Sequence, residues 1–144
     1  MVEVIDATDH IMGRLTSEVA KRLLNDDKLE IAIVNSEKAI VSGNRRMIVK
    51  DFRAKRALNH PRKGPYYPRM PDKILKRTIR GMLPYQKPRG RDALNRVKTY
   101  IGVPSQFGKS KMKKVEGALK PDIHIYMTLE TISKSLGAEY HKEG

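Results

Sequence analysis

The sequence predicts a single α/β domain with a parallel pair of strands and a basic, loop-rich insert. Three observations lead to this prediction. A strand pattern, a helix pattern and a second strand pattern follow one another within residues 2–34, the order of a parallel β-α-β unit. The length of 144 residues suits one domain. The formal net charge is +14, and its excess lies in the middle of the chain.

The first part of the chain supplies the predicted sheet. VEVID at residues 2–6 alternates apolar and polar side chains and predicts a strand. A helix is expected over residues 13–24, with Asn25 as its left-handed stop. Its apolar residues recur every three or four positions: Met12, Leu15, Val19 and Leu23. Two further strands are predicted from IAIV at 31–34 and AIVSG at 39–43.

Residues 42–71 are expected to form a helix and then an extended loop. Asn44 or Ser42 can cap a helix that reaches toward Arg56, because both side chains accept hydrogen bonds from free amides in a first turn. The stretch NHPRKGPYYPRMP at 59–71 is rich in proline, and each proline removes a donor and restrains the residue before it. This stretch therefore predicts a loop.

A helix with two unlike faces is predicted to begin at Pro71 and to end at Gly81 and Pro84. One side is apolar, and it carries Ile74, Leu75, Thr78, Ile79 and Met82. The opposite side carries cations at helical spacing, namely Lys73, Lys76, Arg77 and Arg80. Like charges at these spacings weaken an isolated helix, so the apolar side must pack against the domain while the cations face outward.

The rest of the chain predicts three more elements. PRGRDALNRV at 88–97 indicates a turn into a short helix, and VKTYIGV at 97–103 indicates a strand. Thr128 can cap a last helix, which Gly137 closes. The apolar stripe of that helix is Leu129, Ile132 and Leu136.

Basic residues are concentrated in one segment. Residues 45–114, the basic segment, hold 22 Lys and Arg against three acids, a net charge of +19, while the chain on either side is mildly acidic. Such a density repels itself until an anionic partner arrives, which favours a nucleic acid. An anionic membrane surface would instead need an amphipathic helix free to insert. Four loop tyrosines could stack on unpaired bases of folded RNA, or could simply pack the loops: Tyr66, Tyr67, Tyr85 and Tyr100.

Several chemistries find no support in the sequence. The chain has no cysteine, and its four histidines form no metal-binding spacing, so neither a metal nor another cofactor is expected. Asp6, Asp9 and His10 cluster after a strand, where capping and turn formation explain them best. The chain lacks a signal-peptide pattern and a membrane-spanning run, which favours the cytosol.

One stretch comes close to a phosphate-binding P-loop. GVPSQFGKS at residues 102–110 follows a predicted strand and ends in Gly-Lys-Ser. Five residues separate Gly102 from Gly108 where the P-loop has four, and KMKKVEG after it offers no apolar helix. This stretch is interpreted as a flexible basic loop, while a small nucleotide or RNA-modifying enzyme remains the alternative from another class. A basic DNA-compacting protein is a third possibility.

RTIRGMLPYQKPRGRDALNRVKTYIGVP at 77–104 resembles the signature of the thirteenth universal large-subunit ribosomal protein family, in its archaeal and eukaryotic form. DATDHIMGRLTSEVAKRLL at 6–24, IVNSEKAIVSGN at 33–44 and TLETISKSLGA at 128–138 resemble the family in the same order. The chain departs from it at 25–30, where an acidic turn replaces a glycine-basic one, and in the loop 105–120.

The resemblance implies a single three-layer α/β/α domain with a small, mostly parallel sheet, and a structural, non-catalytic role. Such a protein binds and stabilises large-subunit rRNA during assembly and contacts neighbouring ribosomal proteins, in the cytoplasm. It has no membrane partner and no small-molecule substrate. The RGMLP core of the family corresponds to residues 80–84 and its basic turn to residues 87–91. The predicted rRNA contacts are Lys73, Lys76, Arg77, Arg80, Gly81, Lys87, Arg89, Gly90, Arg91, Arg45, Arg53, Arg56, Arg62, Lys63, Arg69, Lys109 and Lys111.

Overall fold

Residues 2–58, 62–121 and 124–140, the parts of the chain that the computed structural model describes, form strands and helices, with three helices following one another in the middle of the chain. The strands are β1 (Val2–Asp6), β2 (Glu30–Val34), β3 (Ile40–Ser42), β4 (Val97–Thr99) and β5 (Tyr126–Thr128). The α-helices are α1 (Met12–Asn25), α2 (Arg45–Ala57), α3 (Pro71–Met82), α4 (Pro88–Asn95) and α5 (Leu129–Ser135). Single turns of 3-10 helix lie at Ser36–Lys38, Ser105–Phe107 and Glu116–Ala118.

The main sheet has the strand order β1-β2-β4, and both of its pairs are parallel. Val4 lies opposite Ala32, and Ile31 lies opposite Val97. The predicted parallel β-α-β unit is therefore confirmed. The strand predicted around Ile40 is confirmed too, but it pairs antiparallel with β5 in a separate two-stranded sheet.

The two faces of the main sheet are covered differently. Ile5, Ile31, Ile33 and Val97 point into the large core, which the α-helices complete. Val4, Ala32 and Val34 point to the other face, where they meet a small set of partly buried side chains from the segment 100–112: Tyr100, Val103, Phe107 and Met112. The single α/β domain with a small, mostly parallel sheet is confirmed. Its third layer is thin and mostly irregular, because this face offers only three small apolar side chains to cover.

Two helices end differently from the prediction. Asn25 belongs to α1, and the residue that caps the helix, Asp26, is extended, so the left-handed stop is wrong. Arginine side chains satisfy the last carbonyls instead, and this removes the need for a left-handed cap. Arg96 donates to the carbonyl oxygens of Leu23 (2.9 Å), Asp26 (2.6 Å) and Leu29 (3.0 Å).

Gly81 is not the stop of α3, because the helix continues through it to Met82. Leu83 is the first extended residue, and it precedes Pro84, whose ring disfavours a helical conformation in its predecessor. The start at Pro71 is confirmed. At the other helices, the predicted caps at Asn44 and Thr128 are confirmed, since both side chains accept a backbone amide in the first turn.

The acids and the histidine after β1 form a turn rather than a reactive cluster. Asp6 Oδ1 accepts three hydrogen bonds, from the amide of Thr8 (3.0 Å), the hydroxyl of Thr8 (2.7 Å) and the side-chain amide of Asn35 (3.0 Å). His10 is fully buried, and its Nε2 accepts the amide of Val115 while its Nδ1 donates to the carbonyl of Thr8, each at 2.9 Å. The structural interpretation of this cluster is confirmed.

Asp6 should make folding stability depend on pH. Burial opposes the charge of this carboxylate, but the hydrogen bonds from Thr8 and Asn35 outweigh it and lower the pKa of Asp6 below its ordinary value of 3.8. The stability that these bonds contribute is therefore present above about pH 4 and is lost as the pH falls through the lower, folded-state pKa. We expect Asp6→Ala to reduce the free energy of unfolding at pH 7 and to have a smaller effect near pH 3, as measured by urea denaturation. A constant difference between the two proteins at both pH values would contradict this assignment.

Candidate nucleic-acid interface

Helix α3 is held to the domain by its apolar side. Ile74, Leu75 and Ile79 are fully buried, and the helix packs against α1 and β4. Thr78 donates to the carbonyl of Ile74 within the helix. Met82, the last residue of the helix, has 41% of its surface exposed. Because the domain core already buries the side chains that would have to insert into a bilayer, the membrane alternative loses its basis. No helix in the described part of the chain is long and apolar enough to cross a membrane.

The outward side of α3 carries the four predicted cations, which we call the α3 cationic face: Lys73, Lys76, Arg77 and Arg80. Lys73 is exposed, and the other three are partly exposed. Together with Tyr66, Pro68 and Leu94 they line an open pocket of about 330 Å³, which we call the α3 pocket. The structure thus brings all four cations to one place, next to apolar side chains from the preceding loop and from α4.

Two of the predicted contact arginines also hold the loop before α3. Arg77 donates to the carbonyl of Tyr66 (3.3 Å), and its guanidinium lies 5.0 Å from the ring of Tyr67. Arg56, at the end of α2, donates to the carbonyl of Tyr67. Tyr67 in turn packs edge-on against Phe52 at 5.9 Å. These contacts fix residues 66–67 between the end of α2 and the α3 cationic face.

The remaining predicted contacts of the signature lie in the turn between α3 and α4 and at the start of α4, and their surroundings differ. Lys87 and Arg91 are exposed, and Arg91 bonds the carbonyl of Gln86 (3.3 Å) in the same turn. Arg89 is exposed but donates to the carbonyl of Leu24 at the end of α1. The guanidinium of Arg89 therefore interacts with the C-terminal end of α1, where a cation is favourable.

The two glycines of the signature differ in their surroundings. Gly81 is exposed, and a Cβ added there would meet nothing within 4 Å. Gly90 is buried, and a Cβ there would lie 2.0 Å from the carbonyl oxygen of Pro84. The structure therefore gives Gly90 a packing role, while its predicted rRNA contact stays a prediction. Close approach of α4 to the turn at residues 84–85 requires a residue without a side chain.

A second basic groove lies between α2 and α5. It has a volume of about 590 Å³, and it brings together the predicted Arg45 and Arg53 with two cations that the prediction left out, Arg46 and Lys50. The helical spacing of all four within the basic segment was a signal that could have identified them. Val49 and Met127 form the apolar part of this groove.

The other predicted contacts lie either beside the α3 cationic face or away from it. Arg62, Lys63 and Arg69 are exposed in the loop before α3, and the carbonyl of Arg69 accepts the hydroxyl of Ser133 (2.6 Å). Lys109 and Lys111 are exposed in the segment that covers the opposite face of the sheet. The structure does not bring these two lysines to α3.

The segment that resembles a P-loop is built differently from one. Gly102 has a left-handed φ of 70°, and its amide donates to the buried carboxylate of Glu37 (3.0 Å). A P-loop amide must instead face a phosphate, and a buried carboxylate at this place would repel that anion. A single 3-10 turn, Ser105–Phe107, follows instead of an α-helix. Within the described residues, no group of three or more His, Asp or Glu side chains could hold a metal ion.

The four loop tyrosines take different roles. Tyr67 packs on Phe52, and Tyr100 packs on Phe107 at 5.5 Å, so both support the fold. Tyr85 is 40% exposed beside Arg80, whose guanidinium lies 5.0 Å from its ring. Tyr66 is 56% exposed and lines the α3 pocket. Of the four, Tyr66 therefore offers the most accessible ring next to a cluster of cations.

The fold and these surfaces define a basic, single-domain α/β protein that displays clustered cations on a rigid helix. The family model described as "Ribosomal protein L13" matches residues 1–106. The chain belongs to this family, whose members are structural and non-enzymatic.

Relatives of similar length carry a common name, "Large ribosomal subunit protein uL13". The protein of Methanocaldococcus jannaschii is 47% identical over 141 residues, which cover 95% of this chain and 98% of the relative. That of Methanosarcina barkeri is 45% identical over 142 residues, covering 95% and 99%. That of Archaeoglobus fulgidus is 44% identical over 137 residues, covering 93% and 86%. The resemblance of the sequence to this family, in its archaeal form, is thus confirmed.

Proposed function

We propose that this protein is a structural constituent of the large ribosomal subunit, where it binds and stabilises large-subunit rRNA during assembly. The names of its relatives support the ribosomal role. The observation that carries the rRNA contact is the α3 cationic face, four cations on a helix whose opposite side buries Ile74, Leu75 and Ile79 completely. A helix anchored in this way can present its charges without rearrangement, which reduces the entropic cost of binding.

Phosphate contacts would supply most of the affinity. Arginine offers a planar fork that matches phosphate oxygens, and lysine offers a mobile point charge. If about six to ten phosphates are contacted, affinity should fall by about 10³ to 10⁵ between 50 and 200 mM salt. Besides the α3 cationic face, the proposed contacts are Gly81, Lys87, Gly90, Arg91, Arg62, Lys63, Arg69, Arg56 and Arg89, and in separate places Arg45, Arg53, Lys109 and Lys111.

The proposed partners are large-subunit rRNA and neighbouring proteins of the subunit, in the cytoplasm. The enzyme alternative required phosphate binding at residues 102–110, and the contact between Gly102 and Glu37 speaks against it. A DNA-compacting protein would carry a similar charge, so this alternative has to be separated by experiment.

Sedimentation of a cell lysate tests the proposal. We expect the tagged protein, expressed in a methanogenic archaeon, to co-sediment with large subunits in a gradient at moderate salt. Its retention at the top of the gradient, while large subunits pellet, would contradict ribosomal residence. A competition assay completes the test. Deproteinised large-subunit rRNA should displace the protein from random duplex DNA, and equal affinity for both would support the DNA-compacting alternative.

A further inference from the structure

The α3 pocket combines an apolar surface with a cationic one, and phosphate binding alone would need only the cationic surface. We propose that it receives one unpaired base of the rRNA, while the phosphates on either side of that base meet the α3 cationic face. This inference rests on the proposed function and extends it, because it states which feature of the RNA the protein selects.

The pocket has both apolar and cationic lining residues. Tyr66 and Pro68 come from the loop before α3, Leu94 comes from α4, and the four cations of α3 complete the lining. A flat base can lie against an aromatic ring and aliphatic groups, and stacking of this kind tolerates any base because each has a π face. Cations that line the same pocket can bind the phosphates on either side of an inserted base.

The backbone of Tyr66 is held in position although its ring is exposed. Gly64 has a left-handed φ of 74°, and a Cβ added there would lie 2.9 Å from Cδ2 of the Tyr66 ring, so this glycine lets the ring lie close to the backbone. The carbonyl of Tyr66 accepts a hydrogen bond from Arg77 (3.3 Å). A tyrosine whose backbone is fixed before binding loses less conformational freedom when a base stacks on its ring. The same arginine that faces the RNA thus also orients the stacking residue.

Base insertion implies a preference for irregular RNA. Bases within an A-form helix are stacked and paired, and they cannot enter a side pocket, whereas bulged and looped bases can. The pocket is therefore expected to select a bulge or loop of the large-subunit rRNA, next to a tract of phosphates.

The test compares tyrosine variants bound to deproteinised archaeal large-subunit rRNA. We expect Tyr66→Ala to weaken binding by about 5- to 100-fold, the range for loss of one base stack, and Tyr66→Phe to bind within about twofold of the wild type. Ile125→Ala is the control, because this apolar residue is 62% exposed but lies outside the pocket and outside the basic segment, and it should also stay within about twofold. Irradiation of the wild-type complex at 254 nm should attach a nucleotide to Tyr66, which mass spectrometry of the digested protein detects.

The outcomes separate the two proposals. If the wild type binds rRNA in preference to duplex DNA, but Tyr66→Ala binds equally well and no nucleotide is attached to Tyr66, the pocket inference is overturned and the proposed function stands. If the wild type shows no preference for rRNA, the proposed function fails and the pocket inference fails with it. Unfolding midpoints of the variants, measured by circular dichroism, establish that each is folded.

Discussion

Reversal of three charges on α3 should lower the affinity for large-subunit rRNA on the order of 100-fold at about 100 mM salt. The variant is Lys73→Glu, Lys76→Glu and Arg80→Glu. Each change removes a cation from the lining of the α3 pocket and adds an anion that repels phosphate. Arg77 is left in place because it also holds the loop at Tyr66. The slope of log affinity against log salt, measured by filter binding, should become shallower by about two to three.

A control with the same change in net charge separates a specific surface from a general electrostatic effect. Lys21→Glu, Lys28→Glu and Lys38→Glu alter three exposed lysines outside the basic segment. We expect this control to lose much less affinity than the α3 variant, because short-range contacts are lost only in the latter. Equal losses for both variants would show that overall charge, and not the α3 cationic face, determines binding.

Substitution of Gly90 by alanine should destabilise the protein by about 3 kcal/mol, at the upper end of the usual cost of overpacking. The new Cβ would lie 2.0 Å from the carbonyl oxygen and 2.2 Å from the carbonyl carbon of Pro84. Both atoms belong to the backbone, so no side chain can turn aside to make room. The turn between α3 and α4 must therefore open, which urea denaturation will register as a lower free energy of unfolding.

Gly81→Ala provides the matched control nine residues earlier. Gly81 also lies in a helix, but a Cβ there meets nothing within 4 Å. Alanine is favoured over glycine in a helix interior by about 1 kcal/mol, so this variant should be as stable as the wild type or more stable. If both alanine variants were equally stable, the close approach of α4 to residues 84–85 would be wrong.

Local patterns predicted most of the elements. The helices at α1, α2, α3 and α5 and the parallel pair of β1 and β2 follow from periodicity, caps and prolines, which act over a few residues. The pairing of β3 with β5 was not predictable in this way, because it joins segments more than eighty residues apart. The same holds for the left-handed Asp9 and Asn35, whose φ values are 60° and 55°. Their conformations depend on the turns around Asp6 and His10, which form only in the folded domain.

The site was predictable in its charge but not in its shape. The basic segment and the spacing of the α3 cations indicate an anionic partner from sequence alone. The apolar part of the pocket was not predictable, because Leu94 lies in the apolar stripe of a short helix and this pattern does not indicate a pocket. Arg89 and Arg96 were equally hard to assign, since their carbonyl partners at the end of α1 lie more than sixty residues away. The sequence alone does not distinguish an arginine that binds a phosphate from one that binds the carbonyls at a helix terminus.

A structure of the assembled large subunit that contains this protein tests the central claim most directly. The quantity to measure is the distance from Nζ of Lys73, Nζ of Lys76 and the guanidinium of Arg80 to the nearest rRNA phosphate oxygen. We predict that at least two of the three lie within hydrogen-bond distance, about 2.7–3.2 Å. Side chains that face solvent or protein carboxylates in the assembled subunit, far from any phosphate, would contradict the account.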